Sequence, residues 1–339
     1  MLKGIHVGLG GQGRHWVGIC RRHPSLVEMV AFVEPAEASA AAAVPRAGVP
    51  PEAIYPTLAA ALAAHPADFV LDITPPAVHH HVALEALQAG LHVLGEKPMS
   101  DDFEAARAVV AAGSASGRVH MIAQNYRFGA LPRTTARVLH EGRIGNPEVV
   151  AVRFYREWAH SAGTHYVVMP YPLLTDMGIH HFDMLRSVLG REPVRVQAHS
   201  WNPSWGWHRG DAGHTALIEF EGGLMATHHA VGCSVGKQSP WNGEWRIEGP
   251  GGSLTWEDDQ LWHTCVHPRD QQRREQIPLD PQAAGGQDAV LAEFVAAIAA
   301  GRQPECSSAD NLRSLALVFA AVRSAAEHRP VEIAELLPA

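Results

Sequence analysis

Cysteine is scarce and scattered in this chain of 339 residues: Cys20, Cys233, Cys265 and Cys306 lie far apart and form no C-x-x-C pair. Such spacing excludes a disulfide framework, although two of the four retain the option of meeting in space, and it points to reduced thiols in a cytoplasmic protein. A chain of this length buries ~75% of its extended surface and holds together without cross-links. Positive charge is also short. Lys and Arg number 27 against 35 Asp and Glu, the net charge is −8, and no basic patch stands out, which argues against a nucleic-acid partner. No apolar run approaches the ~20 residues that span a bilayer, and Met1 runs so directly into the first strand that no signal peptide is expected. These absences leave a soluble, cytoplasmic protein of about two domains.

What is present begins with Gly4-Ile5-His6-Val7-Gly8-Leu9-Gly10-Gly11-Gln12-Gly13. The glycines at 8, 10 and 13 follow a short apolar run and precede a helix-like segment that stops before Pro24, the strand-turn-helix setting of a dinucleotide site. Gly8 permits the tight turn, Gly10 keeps side chains away from a pyrophosphate, and Gly13 lets the helix lie close to the strand. Gly11 and Gln12 belong to the same turn, where free N–H groups and the positive end of the helix dipole meet phosphate. Val27 to Val33 reads as the second strand and ends at Glu34, 21 residues after Gly13. There a carboxylate accepts from the ribose hydroxyls of NAD and repels the 2′-phosphate of NADP; a solvated strand-end carboxylate is the plainer alternative.

The rhythm that follows alternates strand with helix, as in a parallel sheet with crossovers. Helices are expected over 36–43 and 57–64, and an apolar strand broken only by Asp72 over Phe69 to Thr74. Thr74-Pro75-Pro76 ends that strand. His79, His80 and His81 then open a helix closed by Gly90; on a helix they point about 100° apart, so a helix N-terminus near the cofactor is preferred to a metal site. The strand Leu91 to Leu94 leads into Gly95-Glu96-Lys97-Pro98, placing Lys97 at the carboxyl end of a parallel strand, the ligand-binding edge of such sheets. Ser100 or Asp101 is the expected cap of the next helix, with Glu104 completing a capping box.

Beyond residue 123 the pattern changes. Val149 to Tyr155, Val194 to His199, Thr215 to Glu219, Leu224 to Ala230, Trp245 to Glu248 and Gly252 to Trp256 read as strands of an antiparallel sheet, with late helices near 287–300 and 309–326, the second capped by Ser308. The expected architecture is an α/β Rossmann domain over 1–123 and an α+β domain with a large, mostly antiparallel sheet over 124–339, the late helices being candidates to pack back on the first domain. Within the second domain Thr175 to Leu189 reads as a helix. Phe182, Leu185 and Leu189 form its apolar stripe, Asp176, His180, Asp183 and Ser187 its polar face, and His181 leans toward the apolar side. Asp176 and His180 are one turn apart, the pairing an oriented general base requires; an exposed helix pair or a zinc site are the alternatives. Trp158, Trp201, Trp205, Trp207 and Trp241 are either a sugar-stacking wall or core and subunit contacts.

Gly8-x-Gly10-x-x-Gly13, Thr74-Pro75-Pro76 with His79, Glu96-Lys97-Pro98, Gly142-Arg143-Ile144-Gly145 and Asp176-x-Gly178-x-His180-x-x-Asp183 occur in an order and spacing that resembles the glucose-fructose oxidoreductase and inositol dehydrogenase family over nearly the whole chain. The resemblance implies NAD, with NADP as the alternative, held by Gly8, Gly10, Gly11, Gln12, Gly13, Glu34, Thr74, Pro75, His79, Glu96 and Lys97. It further implies a substrate site between the domains, Lys97, Asp176 and His180 as catalytic residues, and dimers or tetramers through the second domain's sheet; no metal is expected, because the histidine-rich segments lack a coherent ligand set. The chain departs from the family at Pro170-Tyr171-Pro172, where a glycine run is usual, so no particular sugar is carried over. The expected activity is hydride transfer between a nicotinamide and a carbinol carbon of a sugar, polyol or related hydroxy compound. A non-catalytic NAD- and ligand-binding regulator and a zinc-dependent hydrolase are the rival readings.

Overall fold

The computed structural model describes residues 1–158, 164–266, 272–281 and 285–337. The chain divides into two compact units, Met1–Asn125 with Ala284–Leu312, and Tyr126–Ala283 with Arg313–Ala339.

The first unit runs β1 (Leu2–Val7), α1 (Gly11–Arg22), β2 (Val27–Val33), α2 (Glu37–Ala47), β3 (Ile54–Tyr55), α3 (Leu58–Ala64), β4 (Phe69–Asp72), α4 (Pro76–Gln88), β5 (His92–Gly95), α5 (Phe103–Ser116) and β6 (His120–Ile122). Its six strands form one parallel sheet in the order β3-β2-β1-β4-β5-β6, the order that places a topological switch point beside β1. Ile5, Phe69, Val70, Leu71, Val93 and Leu94 have no exposure at all, because helices cover both faces of a parallel sheet. Helix ends follow local chemistry. Pro76 begins α4, so the three histidines lie a turn inside it rather than at its opening, and Gly90, at φ 76°, follows its end. The cap of α5 is Asp102, whose Oδ1 accepts the Ala105 N–H at 2.7 Å, not Ser100 or Asp101. Glu104 turns to Arg107 instead of back to a cap.

The second unit contains α6 (Ala130–His140), β7 (Val149–Tyr155), α7 (Gly178–Leu189), β8 (Pro193–Trp201), β9 (Gly213–Phe220), β10 (Leu224–Val231), β11 (Glu244–Gly249), β12 (Gly252–Glu257), β13 (Gln260–Val266) and β14 (Gln272–Ile277). After it α8 (Gly286–Ala300) belongs to the first unit, where Phe294 packs edge-on against Phe69 at 5.4 Å. Helix α9 (Ser308–Glu327) begins in the first unit and continues in the second, and β15 (Val331–Glu332) closes the list of strands. Ser307, not Ser308, caps α9, its Oγ accepting from the Asp310 N–H at 3.2 Å. The nine strands are ordered β14-β13-β12-β11-β7-β10-β9-β8-β15. Every neighbouring pair is antiparallel except β7 and β10. The sheet is thus mostly antiparallel, as expected, with one parallel pair: α7 and a hairpin lie between β7 and β10 in the chain, and a connection that long can return a strand in parallel. Val150, Val152 and Phe154 of β7 are buried while Arg153 between them is exposed, the in-out alternation of a sheet covered on one face. The covered face meets α6 through Trp256, whose indole N–H donates to Thr135 Oγ1 at 2.8 Å, and α9 through Ser324, which accepts the Ala198 N–H at 2.9 Å. All four cysteines are free, and no helix among the described residues is long and apolar enough to cross a membrane.

Candidate active site

In the first unit the turn after β1 is shaped by close contacts that tolerate only glycine at two positions. Gly8 has φ +94°, and a Cβ there would lie 2.5 Å from the Ile73 carbonyl oxygen; one on Gly13 would lie 2.0 Å from that of Gly8. A Cβ on Gly10 or Gly11 would meet nothing within 4 Å. Open space lies exactly where the α1 amides begin, α1 has no side-chain cap, and its first turn holds no acidic residue. This is an uncapped, positively polarised helix start whose open space fits a pyrophosphate. Glu34 stands beside it. Its Oε2 accepts the Leu9 N–H at 2.8 Å and its Oε1 the Ala36 N–H at 3.0 Å, so the carboxylate is fixed at the end of β2. Arg14 donates to the Leu9 carbonyl at 2.8 Å from the same turn.

Along the carboxyl edge of this sheet the polar side chains brace one another. Glu96 Oε1 accepts from Gln12 Nε2 at 3.1 Å and from Trp16 Nε1 at 2.7 Å, while its Oε2 accepts the Lys97 N–H at 3.1 Å. Lys97 is thereby tied to the helix that opens at the glycine turn. Asp72, 1% exposed, accepts from both the hydroxyl and the amide of Thr74, and burial pushes its carboxyl above the usual range despite those bonds and the nearby His79. His79 places one ring nitrogen 2.6 Å from the Thr74 carbonyl and the other 2.7 Å from that of Pro98. It links the loop after β4 to the loop after β5.

The second unit brings together a different set. Asp176 lies in a π-helical turn, Leu173–Met177, that runs into α7 at Gly178; the regular helix expected from Thr175 onward starts later, and a π-turn inserted in a helix is a recurrent feature of functional sites. Gly178 to Arg186 are all buried, so the polar face expected on this helix is an interior one. Asp183 is held by Arg127 through both carboxylate oxygens and by the Ser314 hydroxyl at 2.8 Å, so its oxygens are engaged within the fold. His180, 5% exposed, stacks on the Tyr126 ring at 4.3 Å. Asp176 accepts the Tyr166 hydroxyl, and burial followed by the Asp176 charge raises that phenol. Burial, again with Asp176, pushes Tyr126 up to about 12. Both tyrosines stay protonated, Tyr166 as a donor to the carboxylate.

His181 is wholly buried, as its lean toward the apolar side suggested. Its Nε2 is 3.0 Å from the Trp241 carbonyl and its Nδ1 2.8 Å from Nε2 of His228, whose Nδ1 is 2.8 Å from Nε2 of His214. A carbonyl only accepts, so the neutral chain has one proton order, each Nε2–H donating onward to Trp241. Of the five tryptophans in question, Trp158 is core, Trp241 is 40% exposed and stacks on it at 6.4 Å, Trp207 stacks on His208, Trp201 on His229, and Trp205 is 64% exposed. Among the described residues no group of three His, Cys, Asp or Glu is placed to hold a metal ion. Sequence reasoning missed Trp16, Tyr126, Tyr166 and the partner of Asp183. Trp16 had a signal, an aromatic residue three positions after Gly13, whereas the tyrosines had none beyond their residue type.

A Rossmann-type unit with an open glycine turn, joined in one chain to an α/β unit carrying a half-buried carboxylate and a buried imidazole, defines a two-domain oxidoreductase. Family models match residues 4–124 as the oxidoreductase family's NAD-binding Rossmann fold and residues 136–333 as its C-terminal alpha/beta domain. The chain belongs to this Gfo/Idh/MocA family and is an NAD-binding oxidoreductase. It is 29% identical to 1,5-anhydro-D-fructose reductase of Ensifer adhaerens, over 78% of this chain and 80% of that protein. It is likewise 29% identical to inositol 2-dehydrogenase of Rhizobium meliloti, over 82% and 84% respectively. An oxidoreductase from Agrobacterium radiobacter, solved with NAD+, L-tartaric acid and magnesium, shares the fold with a TM-score of 0.86 at 21% identity over 99% of both chains.

Proposed function

We propose that the protein moves a hydride between NAD and a carbinol carbon of a sugar, polyol or related hydroxy compound, with Lys97, Asp176 and His180 managing the proton on the substrate oxygen. The bound nicotinamide supplies or takes up the hydride. His180 accepts the hydroxyl proton in oxidation and returns it in reduction, since an imidazole with an ordinary pKa near ~6.5 suits proton transfer at neutral pH. Lys97 donates a hydrogen bond to the same oxygen, and Asp176 orients the imidazole or holds a neighbouring hydroxyl. The observation that carries the reading is the tether of Glu96 to Gln12 and Trp16, which fixes Lys97 next to the turn that receives the dinucleotide. The named activities of the two similar dehydrogenase and reductase relatives support the substrate class.

In this reading residues 1–123 bind the dinucleotide and 124–339 the substrate. Glu34 selects NAD, because its carboxylate, held by two amides, repels a 2′-phosphate, and Arg14 is already committed to the Leu9 carbonyl. Four free cysteines support a reducing, cytoplasmic setting. Exposed Val149, Trp201 and Leu217 on the sheet of the second unit support a homodimer or homotetramer through that sheet. The test is a screen of sugars, polyols and their keto forms with NAD(H) and NADP(H), following absorbance of the reduced nicotinamide. Turnover with NAD(H) at lower KM than with NADP(H) is expected; tighter use of NADP(H) would overturn the role of Glu34, and no turnover with any member would overturn the reaction.

A further inference from the structure

We infer that Arg156 is a carboxylate-recognising position in the second unit and that the substrate is a hydroxy acid of the sugar series, such as an aldonate or uronate. The inference rests on the dehydrogenase reading for the chemistry at the carbinol, and on separate observations for the acid.

Arg156 directly follows β7. Its N–H donates to the Val231 carbonyl, and its own carbonyl accepts from Ser234. The guanidinium lies 4.4 Å over the Trp241 ring, and Nη1 donates to the Ser239 carbonyl at 3.0 Å. Backbone, aromatic face and one carbonyl thus hold it in a single place. No acidic side chain among the described residues pairs with it, and its Nε is buried with no hydrogen-bond partner. The other interior arginines of this unit are matched: Arg127 grips Asp183 and Arg186 grips Glu192. A guanidinium that is oriented, half-desolvated and unmatched by any anion among the described residues carries a cost that packing does not explain. The planar group that complements its free terminal donors is a carboxylate.

The place of Arg156 is the place of the chemistry. Arg156 and Asp176 both act on the Tyr126 hydroxyl, in opposite directions, and the ring of Tyr126 is the one stacked on His180. Trp241, on which the guanidinium rests, is anchored through its carbonyl by His181, the neighbour of His180, at the end of the three-histidine chain. Arg156 supplies one positive charge against the Asp176 and Asp259 charges that act on the same hydroxyl, so a monoanion is the most this position accommodates. A phosphate dianion would call for more positive charge than this unit gathers there.

The test compares acid and neutral compounds of one skeleton, D-gluconate with D-glucitol and D-glucuronate with D-glucose, and adds D-glucose 6-phosphate. Turnover is followed with NAD+, and binding by thermal shift in the presence of NADH, using the wild type, Arg156→Gln and Arg156→Lys. Acids are expected to bind and to show KM at least about tenfold below their neutral partners. Arg156→Gln should raise KM for the acid about 10- to 100-fold, the effect of losing a charge-assisted hydrogen bond, and collapse the acid-to-neutral ratio. Arg156→Lys should retain part of it, and unaltered NADH binding verifies that each variant is folded. Equal or better use of the neutral compounds, a ratio untouched by both substitutions, tighter binding of the phosphate ester, or binding of none of them would overturn the inference. Turnover of neutral compounds alone would do so while leaving the dehydrogenase reading intact. Arginine-dependent binding of acids without turnover would instead defeat the dehydrogenase reading and leave the recognition site standing.

Discussion

His181, His214 and His228 are three buried imidazoles joined ring to ring, and each is worth more neutral than charged. Burial pushes His181 down to about 4 and His214 to about 3, and puts His228 well below its ordinary value. An unfolded histidine takes up its proton near pH ~6.5, so between that value and about 4 the unfolded chain binds protons that these folded rings refuse. Stability therefore is complete above about pH 6.5 and falls as the pH drops through that window. Asp72, with its raised carboxyl, acts in the opposite sense but in the first unit. Eight of the nine tryptophans lie in the second unit, so their fluorescence reports the histidine chain. The urea midpoint read this way should be clearly lower at pH 5 than at pH 7, and an unchanged midpoint would refute the neutral chain. Such residue-level order was only partly legible in the sequence. Glu34 and Lys97 could be singled out because each sits at a fixed position in a motif. Arg156, Tyr126 and the histidine chain owe their setting to residues far away in sequence, for which spacing offers no clue.

At the scale of elements, the glycine turn separates two uses of glycine that look identical in sequence. Gly13 is needed by the fold itself, because a Cβ there would collide with the Gly8 carbonyl at 2.0 Å. Gly10 has an ordinary φ of −60° and open space where a Cβ would go, so the fold itself does not require its bare backbone. Gly10→Ala should leave the Tm of the cofactor-free protein nearly unchanged while weakening NADH binding about tenfold or more, the value of roughly one charge-assisted hydrogen bond. Gly13→Ala should lose both, with a stability cost of about 1–3 kcal/mol from overpacking. Isothermal titration with NADH alongside thermal melting distinguishes the two, and equal behaviour of the variants would contradict the division. The turn and its helix were legible because the glycines have a local cause. The π-turn that carries Asp176 was not, since periodicity assumes 3.6 residues per turn and nothing in Leu173 to Met177 announces the exception. Strand β14, Gln-Arg-Arg-Glu-Gln-Ile, was equally hidden: an exposed edge strand has no buried face to impose alternation.

At the scale of the molecule, the βα rhythm of the first unit and the change of pattern near residue 124 were both readable, because a parallel sheet covered on two faces writes long apolar strands and a sheet covered on one face writes alternation. Topology was less readable. The parallel β7–β10 pair joins strands separated by α7, β8 and β9, and the return of Ala284–Leu312 to the first unit depends on contacts that no local pattern encodes. The two units still make one catalytic proposal, in which the first supplies the dinucleotide turn and Lys97 and the second supplies Asp176 and His180. The most direct measurement is kcat with NAD+ and the best substrate of the screen for the wild type, His180→Ala and Lys97→Ala, with NADH affinity determined on the same preparations. The account predicts that each substitution lowers kcat by ~10²-fold or more, the usual contribution of general acid-base catalysis, while NADH affinity stays near that of the wild type. A His180→Ala enzyme that binds NADH and turns over at close to the wild-type kcat would contradict it.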